Sequence, residues 1–151
     1  MNTQLRQILV QSEMRFLTDG EVGAFRQWAI GVTERLECAR RIEALETSLV
    51  ATSTETFHAR VVERGQLQAK TASDVRAAIR YIAMAHVRDD LPWFRSAYAE
   101  WVGEALRALA TSATLTTLGE AIRAGVDQHL EPLDARALLP YLACLDEELR
   151  R

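Results

Sequence analysis

Apolar residues recur at three- and four-residue intervals from Leu5 to Leu145, and no segment shows the two-residue alternation of a half-buried strand. That periodicity restricts the chain to an all-α fold of seven or eight helices. A length of 151 residues with 48% hydrophobic content suits one compact domain that buries a full core, so 1–151 reads as a single domain. Helices of unequal length, some short and separated by loops, favour globin-like packing over an up-down bundle.

Within 3–15, Leu5, Ile8 and Leu9 form a short amphipathic helix. Residues 1–16 therefore read as an N-terminal helical extension that must pack on its own domain or on a partner chain, because so short a helix is marginal alone. Thr18 and Glu21 have capping-box spacing, with Phe16 or Leu17 placed to staple onto Val22. The helix that follows carries Val22, Phe25, Trp28 or Ala29, and Val32 on its apolar side. Leu36, Ala39, Ile42, Leu45 and Leu49 continue the period beyond a bend near Gly31. The β-branched and hydroxyl run Val50-Ala51-Thr52-Ser53-Thr54 predicts a break, then a short helix through Phe57, Val61 and Val62 ending at Gly65 as its C′ residue.

Next comes Lys70-Thr71-Ala72-Ser73-Asp74, where Thr71 or Ser73 can cap a helix running to about Arg88. Its apolar stripe is Val75, Ile79, Ile82 and His86. Asp90 caps a further helix with Pro92 in its first turn, rich in aromatics: Trp93, Phe94, Tyr98 and Trp101. Residues 111–114 read as a loop. Leu115 to Leu130 form another helix, and Asp134 caps the last, which Pro140 bends or begins.

A net charge of -3 and the lack of a basic patch interleaved with aromatics argue against nucleic acid as a partner. No apolar run approaches the roughly 20 residues of a membrane span, and the first residues lack the apolar core of a signal peptide. Cys38 and Cys144 sit inside helical patterns and suit free buried thiols, so the expected location is the cytoplasm. No cysteine–histidine pair, metal-ligand cluster or Gly-rich phosphate loop appears, and an enzyme is not expected. Haem is not expected either, since Pro92–Ala110 contains no histidine to hold iron.

Three local patterns resemble the phycobiliprotein subunits, the globin-like bilin carriers of antennae. Arg15-Phe16-Leu17-Thr18 with Glu21 resembles the start of that family's first globin helix, and Leu36-Glu37-Cys38-Ala39-Arg40 resembles its Leu-Glu-Ala-Ala-Arg run. Ala69-Lys70-Thr71-Ala72-Ser73-Asp74 followed by Ile79-Arg80 resembles its Ala-Lys-Cys-x-Arg-Asp with Leu-Arg beyond. The fold that the resemblance implies is all-α and globin-like, of phycobiliprotein type. By this resemblance Thr71 takes the place of the chromophore-attaching cysteine, Ser73 that of an arginine, and Ala77 and Ala78 that of a tyrosine pair. The chain is thus more similar to the phycobiliprotein-related globins associated with bilin biosynthesis, which need not attach their pigment.

A linear tetrapyrrole presents pyrrole N–H donors at its centre and propionates at its rim, which call for a carboxylate and for cations. The resemblance assigns the first role to Asp74 and the second to Lys70. At 100° per residue Asp74, Ala78 and Tyr81 share a face, where Asp74 with small and aromatic neighbours can floor a flat ligand. Trp93, Phe94, Tyr98 and Trp101 follow the turn and are candidates for the pocket wall, although aromatics at helical spacing are more often core. Trp93, nearest the turn, is the expected wall residue, and Thr71 stands at the lost attachment point. Spacing alone gives Asp74 a capping role instead, worth about 0.5–2 kcal/mol. The resemblance also implies that Arg80 meets an acid of a partner subunit, which falls here on Gln11 with Glu13 nearby.

The expected function is non-covalent binding of a bilin such as biliverdin, as carrier, store or sensor linked to bilin metabolism. Bilin-biosynthesis enzymes and a second copy of the chain are the expected partners. The alternative is a ligand-free globin-like interaction module that dimerises through its N-terminal helices.

Overall fold

The structure, a computed structural model, describes residues 2–61 and 66–151, and the side chains of all of these except 66–69. The described residues form α1 (Thr3–Gln11), α2 (Asp19–Ile30), α3 (Val32–Arg60), α4 (Gln66–Arg88) and α5 (Leu91–Phe94). A π-helical segment (Arg95–Ala99) follows, then α6 (Glu100–Arg107), α7 (Ser112–His129) and α8 (Pro132–Arg150), with no strand among them. The all-α expectation holds.

α3 lies between α4 and α7, and α8 packs across α7, α6 and α4. Leu49, Phe57, Val75, Ile82, Phe94, Leu115, Ile122 and Leu138 meet in the core with almost no exposure. The α3–α7 contact is close because Gly125 lacks a side chain: a Cβ there would lie 3.1 Å from the Leu49 carbonyl oxygen and against Ser53. At the opposite end α6 approaches α8 through Gly103, and Arg107 donates to the Glu148 carbonyl beside it.

Several boundaries differ from the sequence expectation. The run 50–54 does not break the chain; α3 continues through it to Arg60, and Leu49, Val50, Ser53 and Phe57 are all buried. Burial of that row outweighs the few tenths of a kcal/mol by which β-branched and hydroxyl residues disfavour a helix. Phe57 therefore belongs to α3, while the expected end at Gly65 lies outside the described residues. α4 begins at Gln66, so neither Thr71 nor Ser73 is its cap, and the Ser73 hydroxyl donates to the Lys70 carbonyl within the helix (2.9 Å). Asp134 does not cap α8. Glu131 occupies that position and Pro132 the first turn, while Asp134 is buried against Arg41 at 2.6 and 2.8 Å. α2 buries none of its residues fully. Pro140 lies well inside α8.

The caps that position the site follow expectation. Thr18 and Glu21 form the reciprocal capping box. Asp90 caps α5 by accepting from the Trp93 N–H at 3.0 Å, and its other oxygen accepts from the Thr3 N–H and hydroxyl at 2.6 and 2.7 Å. One buried carboxylate thus fixes the start of α1 against the α4–α5 turn. That turn runs through Asp89 at φ 55°, a conformation aspartate tolerates better than most residues. Trp28 of α2 donates its indole N–H to the Arg88 carbonyl at 3.0 Å, tying the second N-terminal helix to the same corner.

Candidate functional site

The expected site residues are spread along α4 and the corner that follows it. Lys70 projects into solvent, and Thr71, one position on, is 1% exposed. Asp74 is half-buried. Because α4 starts eight residues earlier, Asp74 is not a helix cap. No hydrogen bond or ion pair engages its carboxylate among the described residues. Burial raises its pKa, and the positive charge of Lys70 opposes that rise without cancelling it.

Asp74 and Ala78 come together as the helical wheel predicts. With Tyr98, Leu106, Ile122 and Leu145 they line a small, partly open cavity of about 10 Å³, space for roughly one water molecule. Tyr81, on the same side of α4, stacks on Tyr98 with ring centroids 4.4 Å apart and planes 16° apart. Trp93 lies beyond Tyr81 at 6.1 Å and 23°, and the Arg88 guanidinium covers Trp93 at 4.4 Å from the ring centroid. Four flat groups, Arg88, Trp93, Tyr81 and Tyr98, thus form a ladder that ends at the Asp74 cavity. Tyr98 is 3% exposed, and burial, with the nearby charge of Asp74, drives its phenol pKa well up.

The place of Tyr98 in that ladder is not legible from helical spacing. Trp93 and Tyr98 are five residues apart, which on an α-helix sets them about 140° apart. Tyr98 lies in the π-helical segment and Trp93 in α5 before it, and the rings of both reach Tyr81. Arg95, on the same segment, is fastened to α8 by ion pairs to Glu147 and Glu148, each 2.7 Å long.

A larger recess lies on the other side of Trp93. α3 and α4 bound an open trough of about 750 Å³, floored by Ala39, Ile42, Ala83 and Val87, with Met84 on its lip and Trp93 at its border. Its rim carries Glu43, Glu46, Arg80 and Arg88. Arg80 clasps Glu46 through two bonds of 2.6 and 2.9 Å, and Arg76 reaches the same carboxylate at 3.2 Å. Arg80 therefore has an acid within its own chain, whereas the resemblance gives it one in a partner. Beside the trough, a second recess of about 470 Å³ between α1 and the α4–α5 corner shares Arg88 and Trp93 with it, and adds Arg6, Gln7 and Gln11.

The two thiols are free and buried. Burial and the neighbouring Asp134 carboxylate push Cys38 up to about 12, and burial raises Cys144. His86 is buried edge-on against Tyr141, and His129 bonds Thr52 at 2.7 Å. Among the described residues no group of three or more His, Cys, Asp or Glu side chains could hold a metal ion, and no helix is long and apolar enough to cross a membrane.

A family model described as "Phycobilisome protein" matches residues 9–149. No curated protein matches the chain.

Proposed function

Because the chain belongs to the phycobilisome protein family, whose members carry bilin chromophores, we propose that it binds a linear tetrapyrrole such as biliverdin without a covalent bond. In this reading it is a carrier, store or sensor beside the enzymes that make bilins, and not itself an enzyme.

The observation that carries the non-covalent part concerns thiols. The chain places Thr71 where the resemblance expects the attaching cysteine, and that side chain is 1% exposed. The remaining thiols, Cys38 and Cys144, are buried with raised pKa values. A thioether forms from a thiolate, and neither residue offers one at neutral pH.

The expected site residues match the pigment's chemistry but not its size, so they leave its seat open. Asp74 is an uncommitted carboxylate that pyrrole N–H donors would satisfy, with Ala78 and Tyr81 beside it, Lys70 and Thr71 one turn before, and Trp93 two rungs along the ladder. The cavity that Asp74 lines holds about a water molecule, so a pigment seated there has to displace the Tyr98 ring. The test is a titration with biliverdin followed by visible absorption and induced circular dichroism. A stoichiometric spectral change is expected, with all pigment released when the complex is unfolded in acid. Colour retained on the unfolded chain would refute non-covalent binding.

One observation favours a second reading, a ligand-free module that dimerises through its N-terminal helices. Val10, Met14, Phe16 and Ile30 are 67, 97, 98 and 73% exposed, a concentration of bare apolar side chains on α1, α2 and their connection. Under that reading biliverdin leaves the spectrum unchanged while sedimentation gives a dimer, which Phe16→Ser together with Met14→Ser dissociates.

A further inference from the structure

We infer that the tetrapyrrole sits in the trough between α3 and α4, on the far side of Trp93 from Asp74. This inference rests on the non-covalent bilin reading and names the seat it leaves open.

Size is the first argument. Sites for organic ligands of this class occupy roughly 300–1,000 Å³. The trough offers about 750 Å³, against about 10 Å³ for the cavity Asp74 lines.

Chemistry is the second. A bilin is a flat, mostly apolar strip with two carboxylates on its edge and N–H donors along its centre. The trough supplies an aliphatic floor from Ile42, Ala83 and Val87, with Trp93 at its border, a ring already stacked on Tyr81 and covered by Arg88. Arg80 and Arg88 stand on one side of α4 eight residues apart, about 12 Å along the axis. Arg88 is the less committed of the two. Its Nε is buried without a hydrogen-bond partner, and its nearest acid, Asp90, is 3.8 Å away and already holds Thr3 and the Trp93 N–H. A ligand carboxylate at that corner would meet the exposed part of the Arg88 guanidinium, with Arg6 facing the same corner from α1. Across the trough, Glu43 has no hydrogen bond or ion pair among the described residues and offers a carboxylate to the pyrrole N–H groups. Met84, 46% exposed on the lip, would be covered by the bound pigment.

The experiment compares biliverdin titrations of the wild-type chain and three variants, each first checked for wild-type melting. Met84→Glu puts a negative charge on the trough's lip, Ala39→Trp fills its floor, and Asp74→Asn removes the carboxylate on the other side. The expected result is at least a tenfold loss of affinity in both trough variants and a change of less than twofold in Asp74→Asn. If Asp74→Asn loses as much as the trough variants, or if those variants bind like the wild type, the trough assignment is overturned while non-covalent binding stands. If the wild-type chain shows no spectral change, both fail. A dimer dissociated by Met84→Glu with unaltered pigment binding would show that a second copy covers the trough, and would also overturn the assignment.

Discussion

Replacing Tyr98 with alanine tests whether the aromatic ladder holds the corner between α4 and the π-helical segment. Tyr98 is 3% exposed, stacks on Tyr81 at 4.4 Å and lies 5.8 Å from Phe94, so its ring fills space that no other group can reach. Truncating a buried aromatic to alanine costs about 3–5 kcal/mol. The site cannot collapse easily, because the void would merge with the existing 10 Å³ cavity, whose walls come from α4, α6, α7 and α8. At least the middle of that range, about 4 kcal/mol, is therefore expected. At about 2–4 °C per kcal/mol for a domain of this size, that lowers the melting temperature by about 8–16 °C. Thermal melts followed by far-ultraviolet circular dichroism provide the assay. Tyr98→Phe, which keeps the ring, should stay within about 1 kcal/mol of the wild type. A small aromatic such as phenol should partly restore the alanine variant by filling the new void. A loss below about 1 kcal/mol in Tyr98→Ala would mean that the ladder does not hold the corner.

The raised pKa of Asp74 gives a pH signature with a definite sign. The folded state binds this proton more tightly than the unfolded chain, so stability falls as pH rises from the ordinary carboxylate range through the raised folded value. Asp74→Asn should therefore match the wild type in acid and exceed it at neutral pH in denaturant titrations; equal destabilisation at both would show a contact the carboxylate makes. Asp134 behaves oppositely, since Arg41 holds its pKa below the usual value and its contribution is present at neutral pH and lost as pH falls through that lowered value. Asp134→Asn should cost about 1.5–3 kcal/mol at neutral pH, and the gap to the wild type should close in acid. Gly103→Ala should cost about 1–3 kcal/mol in the same titrations by overpacking, because its Cβ would meet the Glu148 carbonyl oxygen at 2.8 Å and α6 must shift from α8.

The helical class and most of the core were legible because apolar periodicity records burial directly. Leu115, Leu118, Ile122 and Val126 appear in the sequence at the spacing by which α7 meets α3. Boundaries were less legible wherever tertiary packing overrides local preference. The hydroxyl-rich run 50–54 looks like a break in isolation, but Val50 and Ser53 join Leu49 and Phe57 in the buried row of α3. Asp134 has the composition of a cap, but its partner, Arg41, is 93 residues away. At the site, Asp74 and Ala78 shared a face as expected, since both lie in regular α-helix. The role of Tyr98 depends on a π-helical register that no 3.6-residue wheel contains. The trough was hidden for a different reason: Ala39, Ile42, Ala83 and Val87 look like ordinary core residues, and periodicity does not tell that they line a groove.

The central claim is that this chain holds a linear tetrapyrrole without a covalent bond, and a single titration addresses it. Biliverdin added to the purified protein should shift its visible band and acquire induced circular dichroism, saturating at a fixed ratio of pigment to chain. Acid unfolding should then return the spectrum of free pigment. An unchanged spectrum at stoichiometric pigment, or pigment that stays with the unfolded chain, would contradict the account.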